Sequence, residues 1–147
     1  MTKKTILLVE DNQDDAELTM RAFNKSGVNN SIHLARDGVE ALDYLFGRGE
    51  YAEKLSKADE SVAFILLDLK LPRIDGHEVL KKIRSSEKTN LIPVVIFSSS
   101  GEETDLVRSY RLGANSYIRK PVDFTRSTEI IKHLCTYWLD VNETAPC

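Results

Sequence analysis

Five polar side chains of this 147-residue chain each follow a short apolar run, and their types are those that handle metal ions and phosphate. Glu10 and Asp11 follow the first such run, Asp68 the third, Ser98 the fourth and Lys120 the fifth. Three neighbouring carboxylates repel one another, and a divalent cation is the simplest means of keeping them ionised together. We expect Mg²⁺, because it accepts a few carboxylate oxygens, keeps water ligands and binds phosphate oxygens.

Asp68 and Lys120 could perform covalent chemistry with phosphate. A carboxylate can attack phosphorus and form an aspartyl phosphate, while a metal ion and a lysine stabilise the charge on the transferred group. The compact ammonium of Lys120 suits a phosphoryl oxygen. Pro121 follows directly, and the Lys120–Pro121 bond is a candidate cis peptide that would aim the lysine inward. Asp68 is therefore the expected phosphoacceptor, and Lys120 the expected phosphoryl-binding group.

The apolar runs that precede these side chains alternate with amphipathic stretches, which predicts a parallel sheet covered by helices. The predicted strands are Ile6–Val9, Ser31–Ala35, Val62–Leu67, Val94–Phe97 and Ser116–Arg119. Right-handed crossovers then favour an α/β fold, a doubly wound (βα)5 parallel sheet in three layers with strand order 2-1-3-4-5. Sites in such sheets form at the carboxyl ends of the strands, near the switch point between the first and third strands. The polar side chains should meet there.

The composition is that of an ordinary soluble domain, with 41% hydrophobic and 29% charged residues. The net charge of −3 comes without a dense basic cluster, so direct nucleic-acid binding is not expected. No apolar run approaches the roughly 20 residues of a membrane span, and no signal-peptide pattern opens the chain. Cys135 and Cys147 have neither disulfide nor metal-ligand spacing, which favours a reducing, cytoplasmic compartment.

Each motif also has an ordinary interpretation. An acidic pair after a strand is often a helix cap, a Lys-Pro pair is usually a turn, and a serine-rich stretch is usually a loop. Their joint placement at one predicted rim favours a magnesium and phosphoryl site over these separate interpretations. No metal role is expected for the histidines, which share no ligand pattern: His33, His77 and His133.

The motifs resemble those of the receiver domain of bacterial two-component response regulators, over a core of about residues 5–139. The resemblance covers the family's acidic opening, phosphoacceptor loop and switch residues, here Leu8 to Asn12, Leu67 to Pro72 with Asp75 and Gly76, and Ser98, Tyr117 and Lys120. It implies a flavodoxin-like fold in which Asp68 receives a phosphoryl group from a histidine kinase and Ser98 moves with Tyr117 in response. The implied metal ligands are Glu10, Asp11, Asp68 and the backbone carbonyl of Lys70.

A narrower likeness is to the single-domain receivers that partner cyanobacterial and bacterial phytochrome kinases. It rests on Asp14 and Asp15, on the stretch from Phe46 to Tyr51, and on an extended aromatic final helix. The likeness implies a phytochrome as the sensor kinase. The connection over residues 47–61 is longer than the usual two to six residues and is expected to be a mobile insertion or a partner surface.

Tyr137 and Trp138 are adjacent near the end of the final helix, so both cannot point into the same core groove. We expect one to pack inward and the other to mark an association face. Together with the resemblance, this predicts a homodimer through helix 4, strand 5 and helix 5. Few residues follow the final helix, so a single receiver domain over residues 1–147, without an output domain, is expected to act by protein contact.

Two other functions use similar groups. An aspartyl-phosphate phosphohydrolase would share the nucleophile, the metal and the lysine, but such enzymes generally carry a second Asp two positions beyond the nucleophile, where this chain has Lys70. A flavodoxin-like protein that binds a flavin phosphate would have to tolerate three acidic groups near that phosphate. The favoured interpretation is a phosphoacceptor with only its own autophosphorylation and autodephosphorylation chemistry, not an enzyme.

Overall fold

The computed structural model describes residues 4–52 and 61–146, in which strands and helices alternate. The strands are β1 Thr5–Val9, β2 Ile32–Ala35, β3 Val62–Leu67, β4 Val94–Ser98 and β5 Ser116–Arg119. The α-helices are α1 Gln13–Ser26, α2 Gly38–Phe46, α3 Gly76–Arg84, α4 Glu103–Arg111 and α5 Phe124–Cys135. A 3₁₀ turn at Gly49–Tyr51 follows α2, and a π-helical segment at Thr136–Val141 continues α5.

The strands form one parallel sheet in the order β2-β1-β3-β4-β5, which confirms the predicted α/β doubly wound topology. The strands match their predicted ranges within one residue at each end. Ser31 lies just outside β2, although its carbonyl still accepts a hydrogen bond from the backbone N–H of Ile6 at 2.9 Å. Ser98 belongs to β4 because β4 pairs with β5 as far as Arg119.

Two hydrophobic layers cover the sheet. Alternate residues of the central strands face opposite sides, as the period of a strand requires. One layer packs α2 and α3 on the side chains of Leu7, Ile65 and Ile96. The other packs α1 and α5 on those of Leu8 and Phe64. The middle strands are therefore buried on both faces, which explains their almost continuous apolar sequences.

Side-chain caps fix where the helices begin. Asn12, Asp37, Asp75 and Asp123 each precede a helix, and each accepts a hydrogen bond from a backbone N–H three residues later. All four caps begin helices that follow the carboxyl ends of strands, so they set how closely these helix N-termini approach the polar rim. Gly47 ends α2 with a left-handed φ of 65°.

The described part of the 47–61 connection packs against the sheet edge. Tyr51 is buried, its ring lies edge-on to those of His33 and Tyr44, and its hydroxyl donates to Glu40 at 3.1 Å. His33 also stacks on Tyr44 with ring centroids 4.1 Å apart. The expectation of a mobile insertion or partner surface concerns residues 53–60 in part, and these lie outside the described residues.

The two adjacent aromatic residues after α5 point in different directions. Trp138 packs against the α1–α5 layer, whereas the side chain of Tyr137 is exposed. Their rings meet edge to face with centroids 4.8 Å apart. The expectation that one ring packs inward is confirmed, and Tyr137 is the one left at the surface. Within the described residues, the helices are too short or too polar to cross a membrane.

Candidate functional site

Glu10, Asp11 and Asp68 form an acidic cluster at the carboxyl ends of β1 and β3. These strands are neighbours in the sheet, so the residues that follow them meet at the same edge. One carboxylate oxygen from each residue lies within 4.8 Å of the others. Glu10 and Asp68 are buried, while Asp11 is exposed to solvent. The cluster is therefore open on one side, and its three oxygen donors suit a hard divalent cation that keeps water ligands.

Lys120 enters this cluster from the end of β5. Its Nζ lies 2.5 Å from Glu10 Oε1, 3.0 Å from Asp15 Oδ2 and 3.2 Å from Asp68 Oδ2. The side chain is only 11% exposed. The predicted phosphoryl-binding lysine and the predicted phosphoacceptor are thus in direct contact.

The expectation of a cis peptide between Lys120 and Pro121 is wrong, because the described chain contains no cis peptide bond. The backbone N–H of Lys120 donates to the carbonyl of Ser98 at 2.8 Å, which continues the pairing between β4 and β5. The sheet itself therefore orients the lysine toward the pocket. A trans bond, which is favoured before proline by about 0.5–1 kcal/mol, is compatible with this orientation.

Two groups in the pocket, Glu10 and Lys120, have raised pKa values. Burial raises the pKa of Glu10 to about 7; the hydrogen bond from Lys120 opposes this shift and the charge of Asp68 adds to it. Burial alone would lower the pKa of the Lys120 ammonium, but the hydrogen bond to Glu10 and the charges of Asp68 and Glu10 outweigh it and raise that pKa. Lys120 therefore stays protonated, whereas burial disfavours the ionised form of Glu10.

The loop after β3 fixes the orientation of Asp68. Its Oδ1 accepts a hydrogen bond from the backbone N–H of Leu69 at 2.8 Å, and its Oδ2 faces Lys120. Gly76 begins α3 against this loop, and a Cβ at Gly76 would lie 2.3 Å from the carbonyl oxygen of Asp68. A glycine is required there for the close approach. Lys70 lies in the same loop with an exposed side chain, and the role of its backbone carbonyl stays a prediction.

Ser98 and Tyr117 contact the same loop residue. Ser98 is fully buried at the end of β4, and its hydroxyl oxygen accepts a hydrogen bond from the backbone N–H of Ser100 at 3.2 Å. The Tyr117 hydroxyl donates to the carbonyl of Ser100 at 3.0 Å. The predicted switch residues are therefore connected through the loop between β4 and α4 in this structure.

Asp15 is a member of the pocket that the sequence interpretation did not assign to it. It lies in the first turn of α1, where its backbone N–H donates to the Asn12 side chain at 2.9 Å. That cap brings the Asp15 carboxylate over the pocket, within 3.0 Å of Lys120. Its position one helical turn after Asp11 was the available signal, but the contact also depends on where β5 ends.

Tyr137 and Trp138 lie away from this pocket. They line an open groove of about 680 Å³ between β5 and α5, together with Tyr117, Arg119 and Ile130. Since β5 is an edge strand, the groove runs beside backbone groups without a neighbouring strand in the sheet.

Comparison with known proteins identifies the family. Residues 6–132 match the family model of the response regulator receiver domain. This chain belongs to the receiver-domain family. The resemblance inferred from the acidic opening, the phosphoacceptor loop and the Lys-Pro pair is thereby confirmed.

Sequence similarity to two relatives extends over nearly the whole chain. The probable methanogenesis regulatory protein FilR2 of Methanothrix harundinacea is 42% identical over 139 residues, which is 95% of this chain and 86% of that protein. The response regulator Rcp1 of Synechocystis is 34% identical over 137 residues, covering 93% of this chain and 90% of Rcp1.

Solved structures of similar proteins also superpose over nearly the whole chain. The phosphorylated cyanobacterial phytochrome response regulator RcpA superposes with a TM-score of 0.88 at 39% identity, covering 98% of this chain and 99% of RcpA. Mn²⁺-bound Rcp1 superposes with a TM-score of 0.85 at 32% identity, covering 97% of this chain and 99% of Rcp1. The chain is therefore close to the phytochrome response regulators. Receiver domains bind Mg²⁺ or Mn²⁺ in an acidic pocket, and the Glu10, Asp11 and Asp68 cluster fits such an ion.

Proposed function

We propose that this receiver is a stand-alone response regulator that accepts a phosphoryl group on Asp68 from a histidine kinase, with Mg²⁺ bound, and changes its protein contacts in response. The observation that carries the proposal is the position of Asp68, which shares an acidic cluster with Glu10 and Asp11 and contacts Lys120. A nucleophile, ligands for a cation and an ammonium are thus present in one pocket.

The carboxylate of Asp68 is oriented so that one of its oxygens could attack phosphorus. Its Oδ1 is held by the N–H of Leu69, so Oδ2 is the oxygen assigned to the attack. Lys120 would then move its ammonium from Oδ2 to an oxygen of the phosphoryl group. Mg²⁺, held by Glu10, Asp11 and Asp68 with the carbonyl of Lys70, would supply charge neutralisation for the phosphoryl oxygens.

We propose that Ser98 couples the phosphoryl group to a change at the protein surface. Its hydroxyl would leave the N–H of Ser100 and donate to a phosphoryl oxygen, a stronger, charge-assisted hydrogen bond. Because Tyr117 is bound to the carbonyl of the same Ser100, displacement of this loop would release the tyrosine ring toward the space near Ser98. The altered surface would be that of α4 and β5.

The proposed partner kinase is a phytochrome. Its support is the likeness to RcpA and Rcp1, whose lengths this chain covers almost completely. The proposed homodimer would use α4, β5 and α5. That face carries exposed apolar side chains at Val107, Tyr110 and Tyr137 and the open edge of β5.

Phosphotransfer from kinases tests this function. A phytochrome histidine kinase and an unrelated histidine kinase, each first phosphorylated on histidine, would be mixed with the chain and Mg²⁺, and the loss of label from the kinase would be followed over time. We expect faster transfer from the phytochrome kinase and no transfer to Asp68→Asn. Equal rates from both kinases would contradict the phytochrome partnership, and equal labelling of Asp68→Asn would contradict the proposed function itself.

A further inference from the structure

The Lys120 ammonium contacts a carboxylate that belongs to neither the proposed metal cluster nor the phosphoacceptor. Besides Glu10 and Asp68, it contacts Asp15 Oδ2 at 3.0 Å. An ammonium has three hydrogens, and here each one has a carboxylate partner. Any new acceptor must therefore displace one of the three.

The three partners differ in how easily they can be released. The side chains of Glu10 and Asp68 are 2% and 9% exposed, so a separated carboxylate at either position would lie in a poorly solvated site. The side chain of Asp15 is 42% exposed, and water can replace the lysine there. Asp15 is the partner whose release costs least.

We propose that Asp15 is a positioning residue that holds the Lys120 ammonium on the α1 side of the pocket and releases it when a phosphoryl group arrives at Asp68. This inference rests on the proposed function, since it concerns the same lysine and the same acceptor. The Asp15 carboxylate competes with the phosphoryl oxygen for one hydrogen of Lys120. It therefore weakens the binding of the phosphoryl group in proportion to the strength of its own contact.

On the binding of the metal ion, Asp15 should have the opposite effect and strengthen it. Lys120 contacts both Glu10 and Asp68, which are two of the three oxygen donors of the acidic cluster. When Asp15 is removed, the ammonium settles more firmly between those two carboxylates and competes with a cation for them. Loss of Asp15 should consequently weaken the binding of Mg²⁺ alone and strengthen the binding of a phosphoryl mimic at saturating Mg²⁺.

The chain offers a matched control in Asp14. This residue lies in the same first turn of α1, carries the same charge and is exposed, and the described structure shows no contact between it and Lys120. Asp14→Asn therefore reproduces the change in net charge and in the helix N-terminus without touching the lysine. Asp15→Glu keeps the carboxylate and serves as the rescue variant.

The resting contact can be tested without any phosphoryl chemistry. In the ¹⁵N NMR spectrum of lysine side chains, the three hydrogen bonds should slow hydrogen exchange at Lys120 Nζ enough for its signal to be observed. We expect faster exchange in Asp15→Asn, with wild-type behaviour in Asp14→Asn and Asp15→Glu. Unchanged exchange in Asp15→Asn would overturn the proposed hold on Lys120.

Titration with fluoroberyllate, a phosphoryl mimic, at saturating Mg²⁺ tests the competition. We expect Asp15→Asn to bind fluoroberyllate about two- to fivefold more tightly than wild type, the range that corresponds to a partly exposed ion pair. Its Mg²⁺ affinity without fluoroberyllate should fall, while Asp14→Asn should match wild type in both titrations. Equal fluoroberyllate affinity in wild type and Asp15→Asn, or an equal gain in Asp14→Asn, would overturn the role of Asp15. A wild type that does not bind fluoroberyllate would overturn the proposed function, and this inference with it.

Discussion

At the residue scale, burial and a bound cation would have opposite effects on the ionisation of the carboxylates in the pocket. Glu10 and Asp68 are buried and share the Lys120 ammonium, while Asp11 adds a third, exposed carboxylate to the cluster. Burial disfavours the ionised form of Glu10 and raises its pKa to about 7. A cation bound at the cluster would favour ionisation of all three carboxylates. Burial and mutual repulsion of the carboxylates thus destabilise the pocket without an ion, and a bound cation would offset this destabilisation.

Asp11→Ala should weaken Mg²⁺ binding by about tenfold or more, because it removes one of three charged oxygen donors from a hard cation. The fold should remain intact, since Asp11 is exposed and its removal relieves repulsion within the cluster. Calorimetric titration measures the affinity, and Asp14→Ala controls for the loss of one negative charge. Equal Mg²⁺ affinity in wild type and Asp11→Ala would show that Asp11 is not a ligand.

Cys135 should make the free energy of unfolding depend on alkaline pH. Burial raises the pKa of its thiol to about 11, against the hydrogen bond with Ser26, which lowers it; the charge of Asp140 adds to the rise. The unfolded thiol ionises at about pH 8.5, so the unfolded state releases its proton first as the pH rises. Stability should therefore fall from about pH 8.5 towards 11.

Chemical denaturation at pH 7.5 and pH 9.5 tests this dependence. Wild type should lose more unfolding free energy between the two pH values than Cys135→Ala does, and Cys147 is present in both proteins. Parallel losses in the two proteins would contradict the raised thiol pKa.

At the scale of elements, capped helices begin near the strand ends that form the rim. At the opposite end of the sheet, one arginine joins α3 to the segments that precede two strands. Arg84, at the end of α3, donates to the carbonyls of Gly113, Asn90 and Ile92 and to the side chain of Asn115, at 2.8–3.1 Å. It thereby ties α3 to the segments before β4 and β5. Burial lowers the pKa of its guanidinium, although arginine stays charged at neutral pH.

Arg84→Ala should lower the free energy of unfolding by about 2–4 kcal/mol, because it leaves the partly buried carbonyls of Gly113 and Ile92 without their charged donor. Arg126→Ala is the comparison, since the Arg126 side chain forms an exposed ion pair with Glu129, with side chains 59% and 54% exposed. That pair should contribute less than about 1 kcal/mol. Urea denaturation measures both, and similar losses in the two variants would contradict the role given to Arg84.

The elements also show how far the sequence could be interpreted. The five strands and the polar rim follow from apolar runs and from the rule that parallel strands end at one edge, and the structure confirms both. The contact of Asp15 with Lys120 joins α1 to the end of β5, and no local pattern encodes that distance. The trans bond before Pro121 likewise depends on the pairing of β4 with β5. The change from α5 to a π-helical segment at Thr136 has no signal in the apolar periodicity.

At the scale of the whole molecule, the acidic pocket and the proposed association face lie on different parts of one sheet. The loop at Ser100 connects them, because Ser98 belongs to the pocket side and Tyr117 to the groove beside β5. A rearrangement of this loop would alter the surface without a change in the core. By the proposed function, phosphorylation of Asp68 would in this way change how the protein associates.

Tyr137→Ala should weaken the proposed homodimer, because the exposed ring lies in the groove beside the edge strand β5. A central aromatic residue contributes about 2 kcal/mol or more, which corresponds to roughly a thirtyfold loss of affinity. Trp138→Ala should instead lower thermal stability, since this ring packs on the α1–α5 layer. Sedimentation over a concentration series measures association, and a wild type that stays monomeric at high micromolar concentration, with or without phosphate, would end the dimer proposal.

Mass spectrometry after treatment with acetyl phosphate and Mg²⁺ tests the central claim most directly, because it needs no kinase and locates the modified residue. The account predicts one phosphate on wild type, on the peptide that contains Asp68, and none on Asp68→Asn. Asp14→Asn should be labelled like wild type. Undiminished labelling of Asp68→Asn, or a phosphate on a peptide without Asp68, would contradict the account.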